Sequence, residues 1–531
     1  MPEVEALETA EEDPRVQDVL SDFPEARLRP NYSEEHKLWI FEIHLGDWGE
    51  MGIAVVSPEQ KKVIEFAFHP PDVDNDEKQE QAPLSLYRFF WNFRPRIEGP
   101  TLAWITFLIF VLFWGDFSKM ISRRNLDILL LFSLCPFFNV IWLHPKTAYG
   151  GIFLITLVYF GYSVIQIWLP NKEHESNNIP SRRITWFVLA LAMIFHIQKT
   201  YESGIDDSGV WSVIGAQYLQ KSGQLPYGTE FGENCVYGPL MYALHIPANW
   251  IFPPNVEIDV MRRTVAMGEY PQFEMRGAQT IVLLFDFLTV FGMYQFGKRF
   301  VNPQTGRLLA IAYVLNPYIL GMGGAFGLQQ TSHMVGIPFV LYSLIFAGNP
   351  VIAGILLGLG CGLLYYPVFL FPLWMGWFVR TQSWKQTWKF SIMFACIGVV
   401  CLFMIIGMTN ANCDLDHYSS LRAFFNDTIY QQQFSEGYGR SQFSFWGQYS
   451  NIAYWGKPLA NCLYLVFCVS LVWMPYPRNR RALTALTASV LIGTQLVLSH
   501  GGGTYVGFYI APFLLMLFCP KDSTEERHES S

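Results

Sequence analysis

The chain has 531 residues, 51% hydrophobic, 16% aromatic and only 15% charged, with a formal net charge of −8. Its apolar residues are gathered into long runs separated by short polar loops, which points to a polytopic membrane protein. The continuous hydrophobicity excludes a transmembrane barrel, and no basic patch of the nucleic-acid-binding kind is present.

Residues 1–15 are acidic and lack an apolar h-region, so no signal peptide is predicted. A helix is expected over 16–26, followed by strands over 37–44 and 51–57 across the turn Gly46-Asp47-Trp48-Gly49, and by a third strand over 62–68. This succession resembles small PepSY-like domains, and residues 1–68 are taken as a small α+β amino-terminal domain. Residues 69–100 form a linker and juxtamembrane segment, whose stretch HPPDVDNDEKQEQAPLS is acidic and bears prolines. Apolar runs then fall at 101–117, 126–143, 148–169, 184–198, 237–253, 278–297, 307–325, 333–348, 350–378, 387–409, 458–475, 482–498 and 503–519. Runs of this kind are long enough to cross a bilayer, so an all-α polytopic fold of about 12–13 transmembrane helices is expected. Residues 101–183 hold additional membrane helices, 184–521 the main membrane region, and 522–531 a disordered tail.

Basic residues concentrate around Arg123-Arg124, Arg182-Arg183, Arg262-Arg263, Arg380 to Lys389 and Arg478 to Arg481, loops that the positive-inside rule places in the cytoplasm. Alternation puts 199–236, 410–457 and 499–502 on the other face. The basic loop Lys298 to Arg307 breaks this count, which points to a partial or broken span at 237–253 or 350–378. The run 101–117 has basic residues on both sides and is expected to lie in the interface or re-enter, leaving the amino-terminal domain cytoplasmic. Cys235 and Cys413 share the outer face and are candidates for a disulfide. The other cysteines sit mainly in apolar runs, no metal-ligand spacing occurs, and neither a metal nor a cofactor is expected.

The most informative stretch runs from Thr200 to Ile246. Asp206 and Asp207 follow an apolar run, and a helix with Val210, Trp211, Ile214 and Tyr218 on one side ends at Ser222-Gly223. The ordered series Asp207-Ser208-Gly209-Val210-Trp211, Gly215-Ala216, Gly223 to Tyr227 and Tyr237-Gly238-Pro239 resembles the GT-C superfamily of integral-membrane glycosyltransferases. The resemblance implies an inverting hexosyltransferase, mannosyltransferase-like, that moves a sugar from a polyprenyl-phosphate donor to a glycan or lipid acceptor hydroxyl on the outer or lumenal face. Asp207 is the closest match to the family's base, with Asp206 one residue away; an aspartate before a helix also serves as an N-cap. Arg440 is the candidate partner of the leaving phosphate. His500 is a candidate hydrogen-bond donor to phosphate or sugar, and Tyr227, Tyr237 and Trp446 complete the expected substrate contacts. Asp286 lies inside an apolar run and demands a partner, most simply through a helix–helix hydrogen bond.

Partners expected on this reading are the lipid-linked donor, the acceptor and the bilayer, with no nucleic acid, in a multi-pass protein of the cell membrane. A transporter or flippase for a lipid or polar solute is the alternative, using Asp286 and the broken spans for coupling and gating. A relative without activity that binds lipid-linked glycans is the third reading.

Overall fold

The computed structural model describes residues 3–22, 26–33, 38–45, 50–58, 61–68, 99–119, 121–141, 143–168, 181–202, 207–229, 234–254, 275–321, 331–409, 417–430, 443–476 and 479–519. The chain forms two compact units, Met1–Pro95 and Arg96–Ser531.

In the first unit, helices α1 (Glu3–Glu11) and α2 (Pro14–Asp22) accompany strands β1 (Ala26–Ser33), β2 (Leu38–Leu45), β3 (Glu50–Ser57) and β4 (Lys62–Phe68). The strands pair antiparallel in the order β1-β2-β3-β4. Alternation puts Trp39 and Phe41 on one face of β2 with stacked rings, and Phe41, Ala54, Val56 and Val63 meet Ala6, Ala10 and Val16 of the helices in one core. The expected helix over 16–26 ends earlier, at Asp22, and Ala26 already begins a strand that the sequence reading missed. Pro30 disguises that strand, yet β1 is an edge strand, where a residue without an N–H is tolerated. Asp13 sits before Pro14 and accepts from both the backbone and the guanidinium of Arg15, which holds its carboxyl below the usual 3.8.

The regular elements described in the second unit are all helices, with one isolated bridge between Leu225 and Thr409. Five helices there are long and apolar enough to cross a membrane: Pro145–Ile165, Arg182–Tyr201, Arg276–Phe300, Trp384–Met408 and Ser450–Ser470. In chain order the helices are α3 (Gly99–Trp114), α4 (Arg123–Phe132), α5 (Cys135–Asn139), α6 (Pro145–Ile165), α7 (Arg182–Glu202), α8 (Asp207–Ser222), α9 (Pro239–Ile251), α10 (Arg276–Phe300) and α11 (Pro303–Val314). They continue with α12 (Thr331–Ile345), α13 (Pro350–Leu363), α14 (Phe371–Thr381), α15 (Trp384–Met408), α16 (His417–Phe425), α17 (Phe445–Gln448), α18 (Ser450–Ser470), α19 (Arg480–Val497) and α20 (Ile510–Phe518). Helix α19 is buried along nearly its whole length. Its Thr487, Ser489 and Thr494 return their hydroxyls to carbonyls one turn back, so none needs a partner from a neighbouring helix.

Arginines gather at one end of this bundle and tie it together. Arg307 donates to Thr185 at 3.0 Å, joining α11 to α7. Arg480 lies over the Phe300 ring at 3.8 Å, and Arg380 donates to the carbonyls of Leu471 and Val472. Arg123 and Arg481 both reach Gln166. The loop from Lys298 to Arg307 therefore belongs with the other basic residues, and the positive-inside rule makes this the cytoplasmic face.

Three expected spans change under this arrangement. Gln279 donates to the Thr200 carbonyl, so α7 ends and α10 begins at the face opposite the arginines, and no net crossing separates them. Helix α9 has 13 residues and is about 20 Å long, too short to serve as the full span expected at 237–253; Arg262 and Arg263 lie outside the described residues. The run 350–378 is a hairpin of half-length helices. Its α13 ends at Leu364 in an extended conformation, a 3-10 turn (Tyr366–Leu370) carrying Pro367 follows, and Trp377 of α14 donates back to Ala347 before α13 begins. The run 126–143 is likewise broken, between α4 and α5.

Helix α3 does not lie along one end of the bundle. Asp116, just after it, donates its N–H to Asn125 at the basic end, while Phe107 and Phe110 pack on Phe132. The 16 residues of α3 make a helix about 24 Å long, which is not among the five helices long and apolar enough to cross a membrane.

Asp286, with no exposed surface, finds its partner in His196 of α7 at 2.8 Å. The other ring nitrogen of His196 donates to the Val314 carbonyl at 2.7 Å. Since a carbonyl can only accept, that nitrogen carries a proton, and the remaining proton is shared between Nδ1 and the carboxylate. Either placement leaves the pair without net charge. One interaction thus joins α7, α10 and the end of α11. Asp286→Ala strands the imidazole and is expected to lower stability by about 3–5 kcal/mol, whereas replacing both partners by leucine should restore most of it; thermal unfolding in detergent measures both.

In the amino-terminal unit, the lowered carboxyl of Asp13 stabilises the fold fully above its unfolded value, and the contribution fades as pH falls through the folded one. Asp13→Ala should cost about 0.5–2 kcal/mol at neutral pH and shrink the acid limb of a pH–stability curve.

Candidate functional site

The face opposite the arginines carries two polar seams. The first is built by the segment following α8. Gly223 and Gly228 both have positive φ, which permits the turn Leu225-Pro226-Tyr227-Gly228, and Leu225 bridges to Thr409 at the end of α15. The Tyr227 hydroxyl donates to the Tyr237 carbonyl at 2.6 Å, and the Tyr242 hydroxyl donates to the Cys235 carbonyl at 2.6 Å. Gly215 leaves room for the Tyr242 ring, which would lie 2.4 Å from any Cβ placed there. Gly228 donates its N–H to the Asp427 carboxylate at 2.7 Å, and Phe424 packs edge-on against both Tyr227 and Tyr365. Asp427 belongs to a single π-helical turn, Asn426–Tyr430, that follows α16.

The second seam joins α17, α18, α19 and α12. Ser444 caps α17, Trp446 donates to the Leu496 carbonyl at 2.9 Å, and Phe153 of α6 stacks on Phe445. Gly501 donates to the Phe443 carbonyl, and the Phe443 and His500 rings meet edge to face. Lys457 of α18 hydrogen-bonds Ser499. Gly501 and Gly503 have positive φ, and the Tyr505 ring lies over Gly501 so closely that a Cβ there would meet it at 2.2 Å. Tyr505 in turn lies 4.1 Å from the His333 ring, and Phe508 stacks on Tyr366. Burial pushes the His500 imidazole down to about 4, so it is neutral at physiological pH and offers one N–H.

The expected site residues thus separate. His500 and Trp446 come together in the second seam, and Tyr227 and Tyr237 in the first, where the Tyr227 hydroxyl is occupied by backbone. Asp207 opens α8. Its side chain, Asp206 and Arg440 lie outside the described residues, as does Cys413; Cys235 is a buried thiol whose Sγ lies 3.6 Å from the Trp211 carbonyl. Sequence reasoning missed Lys457, Ser499, His333 and Tyr505 as members of one group. Their signal was present, because Lys457 and His333 stand at the outer boundaries of apolar runs, where polar residues can also serve merely as anchors. Among the described residues, no group of three or more His, Cys, Asp or Glu is placed to hold a metal ion.

A family model described as GPI transamidase subunit PIG-U matches residues 270–437, less than half of the chain. It is a multi-pass membrane family related to GT-C-like proteins. The match covers α10 to α16 and does not reach the amino-terminal domain. No curated protein and no solved structure matches significantly. This finding corrects the functional expectation: the family is a transamidase subunit, so the inverting sugar transferase with a polyprenyl-phosphate donor is withdrawn, and the transporter or flippase with it.

The bond between Asp427 and Gly228 offers a check on the first seam. Asp427→Ala removes the charged acceptor of a part-buried hydrogen bond and should lower stability by about 1.5–3 kcal/mol, while Asp427→Asn, which keeps an acceptor, should lose less; thermal unfolding in detergent distinguishes them.

Proposed function

We propose that this chain is a membrane-embedded subunit of a GPI transamidase, the complex that attaches proteins to GPI anchors, and that it works in the membrane of the endoplasmic reticulum. The observation that carries the reading is the match over residues 270–437. That stretch includes the long helices α10 and α15, the half-length helices between them, and α16. In this role the chain is a frame: its arginine ties hold the cytoplasmic end, and the two seams shape the opposite end, where a protein and its anchor would meet the complex. A fold shared with GT-C-like proteins is compatible with this role, because activity resides in particular sites and not in the fold.

Affinity purification of the tagged protein from its own cells in a mild detergent tests the proposal. The peptidase-type subunit of the transamidase should co-purify in stoichiometric amount, and depletion of the chain should leave substrate proteins with an uncleaved carboxyl-terminal signal. Purification without any transamidase subunit, together with normal anchoring in depleted cells, would refute it.

A further inference from the structure

We propose that the seam formed by Lys457, Ser499, His500, Tyr505 and His333 binds a phosphate group, carried by the headgroup of a lipid in the leaflet opposite the arginine face.

Depth is the first argument. Lys457 lies seven residues into α18, which begins with Ser450 at that face, so its backbone sits about 10 Å below the helix start, and its side chain is buried. A lysine at such a level in a membrane protein marks a functional site by default. Ser499 already bonds the ammonium and fixes its direction toward the turn after α19.

Unused hydrogen-bonding capacity is the second. His333, the third residue of α12, is only 6% exposed, and its Nδ1 has no hydrogen-bond partner. The hydroxyl of Tyr366 is likewise buried without one. Tyr366 reaches Gly336, one turn along α12 from His333, where a Cβ would lie 2.5 Å from its hydroxyl. Orphaned buried polar groups are unfavourable and are normally satisfied by water or a ligand. His333 and Tyr366 stand against Tyr505 and Phe508, in the same segment whose Ser499 holds the Lys457 ammonium, so their unused capacity belongs to one seam with it.

The chemistry of the group selects the ligand. The Lys457 ammonium is the charged member of the group, the imidazoles and hydroxyls each have an N–H or O–H to offer, and none of these side chains is an acid. Phosphate brings the negative charge that compensates the buried ammonium and several acceptor oxygens for the neighbouring donors, whereas a neutral sugar would leave that charge uncompensated. The positive-φ Gly501 brings the backbone against the Tyr505 ring, next to His500 in the chain. The proposal stands on this geometry and does not depend on membership of a transamidase.

The full-length protein in an uncharged detergent provides the test, with dioctanoyl phosphatidic acid, dioctanoylglycerol and inorganic phosphate as probes, read by native mass spectrometry and thermal shift. Phosphatidic acid should bind and raise the melting temperature, and dioctanoylglycerol should not. Lys457→Met should weaken phosphatidic acid binding by about tenfold or more. His333→Asn should weaken it less, and Lys457→Arg should retain it. Inorganic phosphate as potent as the lipid would overturn the headgroup assignment in favour of a free anion. Equal binding of dioctanoylglycerol, or unchanged binding by folded Lys457→Met and His333→Asn proteins, would overturn the site.

Discussion

A carboxylate at zero exposure inside an apolar bundle is the constraint on which the membrane unit depends. Asp286 could not remain there alone, because an uncompensated charge in such surroundings is strongly unfavourable. His196 answers it and passes the demand on to the Val314 carbonyl. That carbonyl is at the end of α11, where the helix stops and its own bonding pattern leaves an acceptor over. The end of one half-length helix is thereby joined to two long ones. Asn316 begins the following turn by accepting from the Tyr318 N–H, and the Tyr318 hydroxyl donates to the Leu131 carbonyl at the break between α4 and α5. Irregular backbone within the bundle is tolerable because protein groups of this kind satisfy it.

Hydropathy located the helices better than it described them. The run at 387–409 is a single long helix, α15, whereas 350–378, equally apolar, turns back on itself. An apolar run records that a segment avoids water and says nothing about its direction; only Tyr366-Pro367 and the glycines of α13 hinted at the reversal. The anomaly at Lys298 to Arg307 was the more useful signal, because a basic loop on the wrong side required a partial span somewhere, and α9 with the α13–α14 hairpin provides it. Asp286 advertised a need for a partner, but His196 is 90 residues away and could not be named from one sequence. In the amino-terminal domain, β1 was hidden by a proline that is acceptable only on an edge strand.

The stretch from Asp207 to Pro239 shows why the functional reading failed while the fold reading held. Gly215, Gly223 and Gly228 serve close approach and left-handed turns, and Tyr227 and Tyr242 secure the backbone of the next segment. Such residues are required by the shape of the frame, whichever reaction or assembly it supports. Shape was therefore legible in the motif series, and chemistry was not. Of the residues expected to act, His500 and Trp446 share a seam, and the group that surrounds them became visible only when α12, α18 and α19 were brought together.

The central claim, a transamidase subunit in place of a sugar transferase, is tested most directly by the glycolipid that accumulates when the protein is removed. Radiolabelled GPI precursors from cells lacking the chain should be complete, with every sugar in place, because only their transfer to protein is blocked. Accumulation of a truncated precursor lacking one sugar, with the complete form absent, would contradict the account.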